Sequence, residues 1–290
     1  MRLDQALARL LPEHSRNRLQ AWLHAGHILL DARRAQPKQK LWGGERILIA
    51  PQPGIQETAA RPEAIELPVV FEDEAVIVID KPAGLVVHPG SGNWQGTMLN
   101  ALLHHAPQLC GIPRAGIVHR LDKNTSGLLV AAKTLHAHTD LVRQLQARTV
   151  KRDYLALAYG AVRADGEIDA PIGRDPRHRT RMAAVPGGRP ALTSYRVLRR
   201  FRDATLLQCS LSTGRTHQIR VHLHALGHPL VGDSVYRPRT MPDVAPQLAL
   251  FPRQALHAAR LEFVHPLTRK PRRFESPLPS DIAALIASLS

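Results

Sequence analysis

The sequence predicts a mixed α+β protein, built around one large antiparallel or mixed sheet with flanking helices, behind a small α+β unit. Two observations point there. Short apolar, β-branched runs of strand length recur from Val69 onward, at 76–79, 86–87, 154–159, 194–198, 206–211 and 261–264. They mix with helix-period segments at 97–106, 136–147, 216–225 and 279–289 without strict strand–helix alternation, which excludes a simple doubly wound parallel sheet. A third feature divides the chain. Residues 51–67 carry Pro51, Pro53, Gly54 and Pro62 with little periodicity and read as a linker between a unit at 1–50 and a large domain at 68–290.

In the first unit, Leu3, Leu7, Leu10 and Leu11 repeat at helical spacing until Pro12 stops them. Ser15 suits the N-cap of a second helix carrying Leu19, Trp22 and Leu23, closed near Gly26. Strand signals follow at Ile28-Leu29-Leu30 and Ile47-Leu48-Ile49, with Gly43-Gly44 as a turn. Nine Lys or Arg against four acids leave +5 in these fifty residues. Arg16, Arg18, Arg33, Arg34 and Lys38 are therefore candidate contacts to a nucleic-acid backbone.

Over the whole chain of 290 residues, 39 Lys and Arg face 24 Asp and Glu, a formal net charge of +15. That imbalance implies an anionic partner, and RNA or DNA is the expectation for a chain without a membrane-spanning run or an apolar leader. Aromatic residues are 4% of the sequence, so a broad base-stacking platform is excluded and binding rests on phosphates and shape. Cys110 and Cys209 are far apart in apolar surroundings. They read as buried thiols of a reducing compartment, and a cytoplasmic location is expected.

In the large domain, GIVHRLDKNTSGLLVAAKT (116–134) places Asp122 between two apolar runs, Gly116-Ile117-Val118 and Leu128-Leu129-Val130-Ala131. Both runs read as short buried strands, and Asp122–Gly127 as the turn between them. An aspartate in such a turn ordinarily bonds its own backbone; only its neighbours can raise it to a catalytic group. Further on, Lys151-Arg152-Asp153-Tyr154 starts a strand with two cations and a tyrosine. LSTGRTHQIRVHLHALGHPLVGD (211–233) turns a strand into a helix bearing Arg220. Its His217, His222 and His224 lack the three- or four-residue spacing that aligns ligands on one helical face, so no metal is expected. Between 171 and 190, Arg174, Arg177, Arg179, Arg181 and Arg189 face Asp175 alone, a candidate phosphate clamp on a loop or hairpin.

Two resemblances join these stretches. Arg2-Leu3-Asp4-Gln5-Ala6-Leu7, Ser15-Arg16-Asn17-Arg18-Leu19 and Gly43-Gly44-Glu45-Arg46-Ile47 resemble the small RNA-binding domain of ribosomal protein S-four and tyrosyl-tRNA synthetases. HRLDKNTSGLLV, the Tyr154-Leu155-Ala156 strand start, TGRTHQIRVHLHALGHPLVGD and QALHAARLEFVHPLT (254–268) together resemble the RluA family of pseudouridine synthases, through nearly the whole chain. VVHPGSGNWQGTMLNALLHH (86–105) brings it nearest the branch that modifies large-subunit 23S ribosomal RNA.

The resemblance implies an isomerase that breaks the N1–ribose bond of a flipped-out uridine, rotates the base and rejoins it through C5, without cofactor or metal. It implies Asp122 as the essential aspartate, Tyr154 against the target base, and Arg220 paired with Asp122, with Arg215 as the alternative. It also implies Arg120 filling the gap left by the flipped nucleotide and Leu256 as an apolar floor. The expected substrate is 23S ribosomal RNA or a large-subunit precursor, at the helix 69 stem-loop, with other rRNA or tRNA sites as the alternative; a monomer is expected. Whether the aspartate attacks the sugar or removes its 2′-carbon proton stays open. Two other classes compete: a non-catalytic RNA-binding assembly protein, and a glycosidic-bond hydrolase, which ordinarily needs a second carboxylate.

Overall fold

The computed structural model describes residues 1–11, 16–50, 61–90, 93–238 and 244–289, without the side chains of 16–18. The chain forms two compact units, Met1–Ala60 and Arg61–Ser290.

In the first, α1 (Leu3–Leu10) and α2 (Arg16–Ala25) pack on a sheet of β1 (Ile28–Leu30), β2 (Arg33–Arg34) and β3 (Ile47–Ile49), ordered β2-β1-β3. Leu3, Leu7, Leu19, Trp22, Leu23 and Ile28 are its core. The 3.6-residue spacing read from the sequence puts them on the inner face. Asp4 is fully buried beneath this core and accepts from the Arg2 guanidinium and the Gln20 amide. Arg33, Arg34 and Lys38 are exposed. Pro12, Ser15 and the side chains of Arg16 and Arg18 lie outside the described residues.

The second unit is a sheet of nine described strands. In order of pairing they are β4 (Val69–Glu72), β5 (Val76–Lys81), β6 (Ser126–Ala132), β13 (Leu256–Val264), β7 (Lys151–Tyr159), β12 (Ala204–Leu211), β11 (Leu192–Arg200) and β8 (Gly166–Asp169), with β14 (Pro271–Glu275) paired to β13. Every pair is antiparallel except β6 with β13. A separate hairpin of β9 (Ile172–Arg174) and β10 (Met182–Ala184) holds the arginine-rich stretch. Helix α3 (Met98–His105) is closed by a capping box of Thr97 and Asn100. Helix α4 (Leu135–Gln146) sets Ala137 and Leu141 on Val76, Val78, Leu128 and Val130. Helix α5 (Gln218–Ala225) follows β12, and α6 (Pro246–Ala249) with α7 (Ser280–Ser288) covers Leu157, Tyr159 and Ala204.

Four local expectations differ from the structure. Gly116-Ile117-Val118 is not a strand: a 3₁₀ turn at Pro113–Gly116 precedes a single bridge from Ile117 to Ala131. Gly116, at φ +79°, lies so close to Ala132 that a Cβ would stand 1.9 Å from its carbonyl oxygen, so the run crosses β6 instead of pairing along it. Val86-Val87 likewise makes only one bridge, Val86 to Thr97. Of the expected linker, residues 61–67 lack regular structure but are tied to the larger unit. Glu63 N–H donates to Asn100 O at 3.0 Å, and the Asn100 amide donates to Arg61 O at 2.8 Å. Cys110 is exposed, whereas Cys209 is buried, which pushes its thiol up to about 12.

The parallel contact between β6 and β13 positions the site, because both strands begin at one place: Ser126 faces His257 and Gly127 faces Ala258. Gly127 sits at φ +112°, and a Cβ there would lie 2.3 Å from Ala258 O. Gly127→Ala should therefore cost at least about 1–3 kcal/mol from backbone conformation alone. Chemical denaturation of the variant beside the native protein measures it.

Candidate active site

Asp122 ends a non-regular segment and opens the turn into β6; Thr125 N–H closes that turn by donating to Asp122 O at 3.0 Å. The turn is gripped from beneath by side chains distant in sequence. Lys81 Nζ donates to Lys123 O, Arg253 Nη1 to Asn124 O, and Gln254 Nε2 to Thr125 Oγ1, at 3.1, 3.1 and 3.2 Å. Ser126 Oγ meets His257 Nδ1 at 3.1 Å. With these anchors the turn is a fixed platform, and the Asp122 side chain is left 16% exposed at its surface.

Arg220 points from α5 toward this platform. Its Nη1 donates to Asp122 Oδ2 at 2.9 Å, across 98 residues of sequence. Nε and Nη2 of the same guanidinium donate to the two carboxylate oxygens of Asp233, at 2.7 and 2.9 Å. The fork is thus filled bidentately by a fully buried carboxylate, and its remaining edge carries Asp122. Asp233 Oδ1 also accepts from the N–H groups of Val235 and Tyr236. Burial works to raise the Asp233 carboxyl, but the hydrogen bonds and charge of Arg220, with those two N–H groups, outweigh it and hold it below the usual range.

Two more groups complete the electrostatics. His217, in a left-handed conformation just ahead of α5, brings Nε2 to 3.8 Å from Asp122 Oδ1 and Nδ1 to 3.0 Å from Tyr236 Oη. That hydroxyl also accepts from Met182 N–H at 3.1 Å, and Arg220 Cζ lies 5.1 Å from the Tyr236 ring centroid. Lys81 is fully buried. Burial pulls its ammonium down to about 7, while the Asp122 charge opposes the shift; three carbonyls, of Pro82, Leu85 and Lys123, accept its protons.

The remaining predicted residues fall as follows. Tyr154 and Leu256 are both buried. The register of β7 with β13 pairs Ala156 with Leu256 and Tyr154 with Ala258, so Tyr154 and Leu256 share one face of the sheet. Burial raises the Tyr154 phenol, and the nearby Asp122 charge adds to that, so the group stays protonated at neutral pH. Arg120 is exposed two residues ahead of Asp122. Arg215 is not the partner of Asp122: its Nε donates to Pro190 O at 3.0 Å. Arg174, Arg177, Arg179 and Arg181 are exposed along the β9–β10 hairpin, whose one acid, Asp175, accepts from the N–H groups of Arg177 and His178. His222 is held by Thr193 Oγ1 and Ala170 O.

The sequence alone did not single out Asp233, Lys81 or Tyr236, and it offered His217 only as a rejected metal ligand. Asp233 closes the LVGD stretch after a short apolar run, and Lys81 ends the VIVIDK stretch, one residue past a four-residue apolar run and directly before a proline. A charge at the end of a short apolar run was the available signal in both cases.

An aspartate fixed on a turn, an arginine shared with a buried second aspartate, and a tyrosine on the adjoining sheet face stand in one domain, and the relatives of that domain give its class: an RNA-modifying isomerase. The chain belongs to the RNA pseudouridylate synthase family, whose sequence profile matches residues 75–225, while that of the S4 domain matches 1–47. It is 59% identical over 291 residues to the ribosomal large subunit pseudouridine synthase D of Nitrosomonas europaea, spanning 100% of this chain and 84% of that one. To the Pseudomonas aeruginosa protein of the same name it is 52% identical over 295 residues, spanning 99% and 92%. Among solved structures, human RNA pseudouridylate synthase domain containing 4 is similar at 25% identity with a TM-score of 0.61, covering 76% of this chain and 92% of that one.

Asp233→Asn should remove the anchor of Arg220 and leave a buried cation short of its counter-charge, at a cost of about 3–5 kcal/mol. Its pH signature has a definite sign. A carboxyl held below its ordinary value of 3.8 stabilises the fold fully above that pH and loses the contribution as the pH falls toward the lower folded value. Thermal unfolding between pH 7 and 2.5 should therefore show a steeper acid loss in the native protein than in Asp233→Asn below about pH 4.

Proposed function

We propose that this pseudouridine synthase acts on large-subunit ribosomal RNA, at the helix 69 stem-loop of the 23S molecule, with Asp122 as its catalytic group. The observation that carries the assignment is the Arg220–Asp122 ion pair at 2.9 Å. It fixes Oδ2, while Oδ1, on a side chain 16% exposed, lies 3.8 Å from His217 Nε2. From there the carboxylate meets the sugar of an everted uridine, as nucleophile at C1′ or as base at the 2′ carbon; the same geometry serves either route. Tyr154 lies against the uracil and Leu256 forms its apolar floor as it turns. Arg120 enters the stack the base has left, offsetting an unstacking cost of roughly a few kcal/mol. The exposed hairpin arginines and Arg33, Arg34 and Lys38 of the first unit hold phosphates.

The substrate class follows the names of the relatives, and the basic first unit suits a structured RNA stem. The hydrolase alternative loses its second carboxylate: Asp233 is fully buried, both its oxygens are engaged by Arg220, and it lies behind that arginine.

The test is release of tritium from 23S transcripts labelled at uracil C5. Native protein should release label without free uracil, and Asp122→Asn should lower the rate by at least roughly 10²–10⁴-fold. Undiminished release by that variant would sink the assignment. Mapping of pseudouridine in rRNA from a strain lacking the protein, with loss confined to helix 69, identifies the target.

A further inference from the structure

The cations ahead of Tyr154 are not accounted for by the chemistry above. Lys151 is exposed and lies 3.6 Å from Glu262. Arg152 is its opposite: only 8% exposed, with no carboxylate oxygen within 4.0 Å among the described residues. Its Nε is buried without a hydrogen-bond partner, and its one hydrogen bond among the described residues, Nη2 to Leu211 O, is 3.5 Å long. The adjacent acid cannot serve it. Asp153 projects to the other face of β7, where it accepts from Ser210 Oγ at 2.6 Å and lies 3.5 Å from Arg260 Nη1. A buried guanidinium with five donors and almost none of them used is a net cost to the fold. Leu261, directly across the ladder, shows that an apolar residue suits this layer.

Its surroundings are those of the active site. Arg152 shares a strand face with Tyr154, two residues on. Its Nη1 lies close against Gly214, where a Cβ would approach to 2.8 Å. Gly214 belongs to the turn from β12 into α5, the helix carrying Arg220. His119, three residues ahead of Asp122, adds no competing charge. Its Nε2 accepts from Val130 N–H at 3.2 Å, and burial, helped by the Arg152 charge, pushes it down to about 3.

We propose that Arg152 is an anion-binding group of the active site, kept without a protein counter-ion so that a backbone phosphodiester of the RNA beside the everted nucleotide supplies it. The proposal rests on the RNA-isomerase reading. Binding replaces the long contact to Leu211 O with charge-assisted hydrogen bonds of the planar fork to phosphate oxygens. The same guanidinium then destabilises the free protein and stabilises the complex.

Those two effects have opposite signs, which a purely structural arginine does not reproduce. Arg152→Met and Arg152→Lys are compared with the native protein in filter binding of a helix 69 stem-loop RNA across salt concentrations, and in thermal unfolding without RNA. Arg152→Met should weaken RNA binding roughly 10- to 100-fold, as expected for one charge-assisted contact. It should flatten the dependence of log K on log salt by about 0.7–0.9 and melt no lower than the native protein. Arg152→Lys keeps the charge, so the salt slope should stay native while affinity falls. A Met variant with a native salt slope, or one whose RNA-free melting temperature drops, overturns the proposal. Should Arg152→Met not fold at all, that too assigns a structural role and overturns it. Tritium release by the native protein is read separately: its absence would defeat the isomerase reading, not this one.

Discussion

One guanidinium between two carboxylates organises the large domain's chemistry. Arg220 gives two donors to Asp233, which is buried and pairs with no other cation among the described residues, and one to Asp122, which is partly exposed. The inner pair sets the direction of the outer one. An arginine facing Asp122 alone would be free to swing toward solvent, whereas the filled fork leaves only Nη1 and one orientation. The platform is equally constrained, since Lys81, Arg253, Gln254 and His257 each bond a different residue of the 123–126 turn. Carboxylate and cation are therefore placed by independent parts of the fold, and reorganisation during reaction is small on both sides.

The same cluster reaches the arginine hairpin. Tyr236 packs with Ile172, Val221 and Met182, stands 5.1 Å from Arg220, and bonds both His217 and the backbone of β10. A displacement of the hairpin's base is felt at Tyr236, and through it at His217 and Arg220. Under the proposed function the limb that grips phosphate and the group that meets the sugar thus share one side chain. Phosphate contact and catalytic geometry are mechanically joined, without a domain motion being required.

Much of this was legible in the sequence, and the exceptions have physical causes. Helices α1, α3, α4, α5 and α7 follow from apolar spacing, and β5 and β6 from apolar runs buried on both faces. The edge strands β8 and β14 carry polar residues, as in GEID and PRRFE, and give no such run. Gly116-Ile117-Val118 has strand composition but crosses β6, because Arg114 and Ala115 adopt positive φ just before it. Composition reports burial, not the direction of the chain. Asp122 and Arg220 were reachable through motifs, and the choice of Arg220 over Arg215 needed the helix: only the residue two positions into α5 faces the turn. Asp233 was hidden because its importance lies wholly in another side chain, which no local pattern records.

The charge layout gives the nucleotide an orientation. The chain carries +15, yet its site concentrates Asp122 and Asp233, balanced by the buried Lys81 and Arg220. The long-range field gathers phosphates, but at the turn itself a phosphate would meet a carboxylate at short range, where repulsion is least screened. Under the proposed function, phosphates are accordingly drawn to the exposed cations of the hairpin, such as Arg177 and Arg181. Under that same function the uncharged base passes inward to Tyr154 and Leu256, and the sugar comes to rest against Asp122. Attraction at the rim and repulsion at the centre together sort one nucleotide into its three parts. A uniformly basic surface of the same net charge would bind RNA as tightly and present no particular atom to the carboxylate.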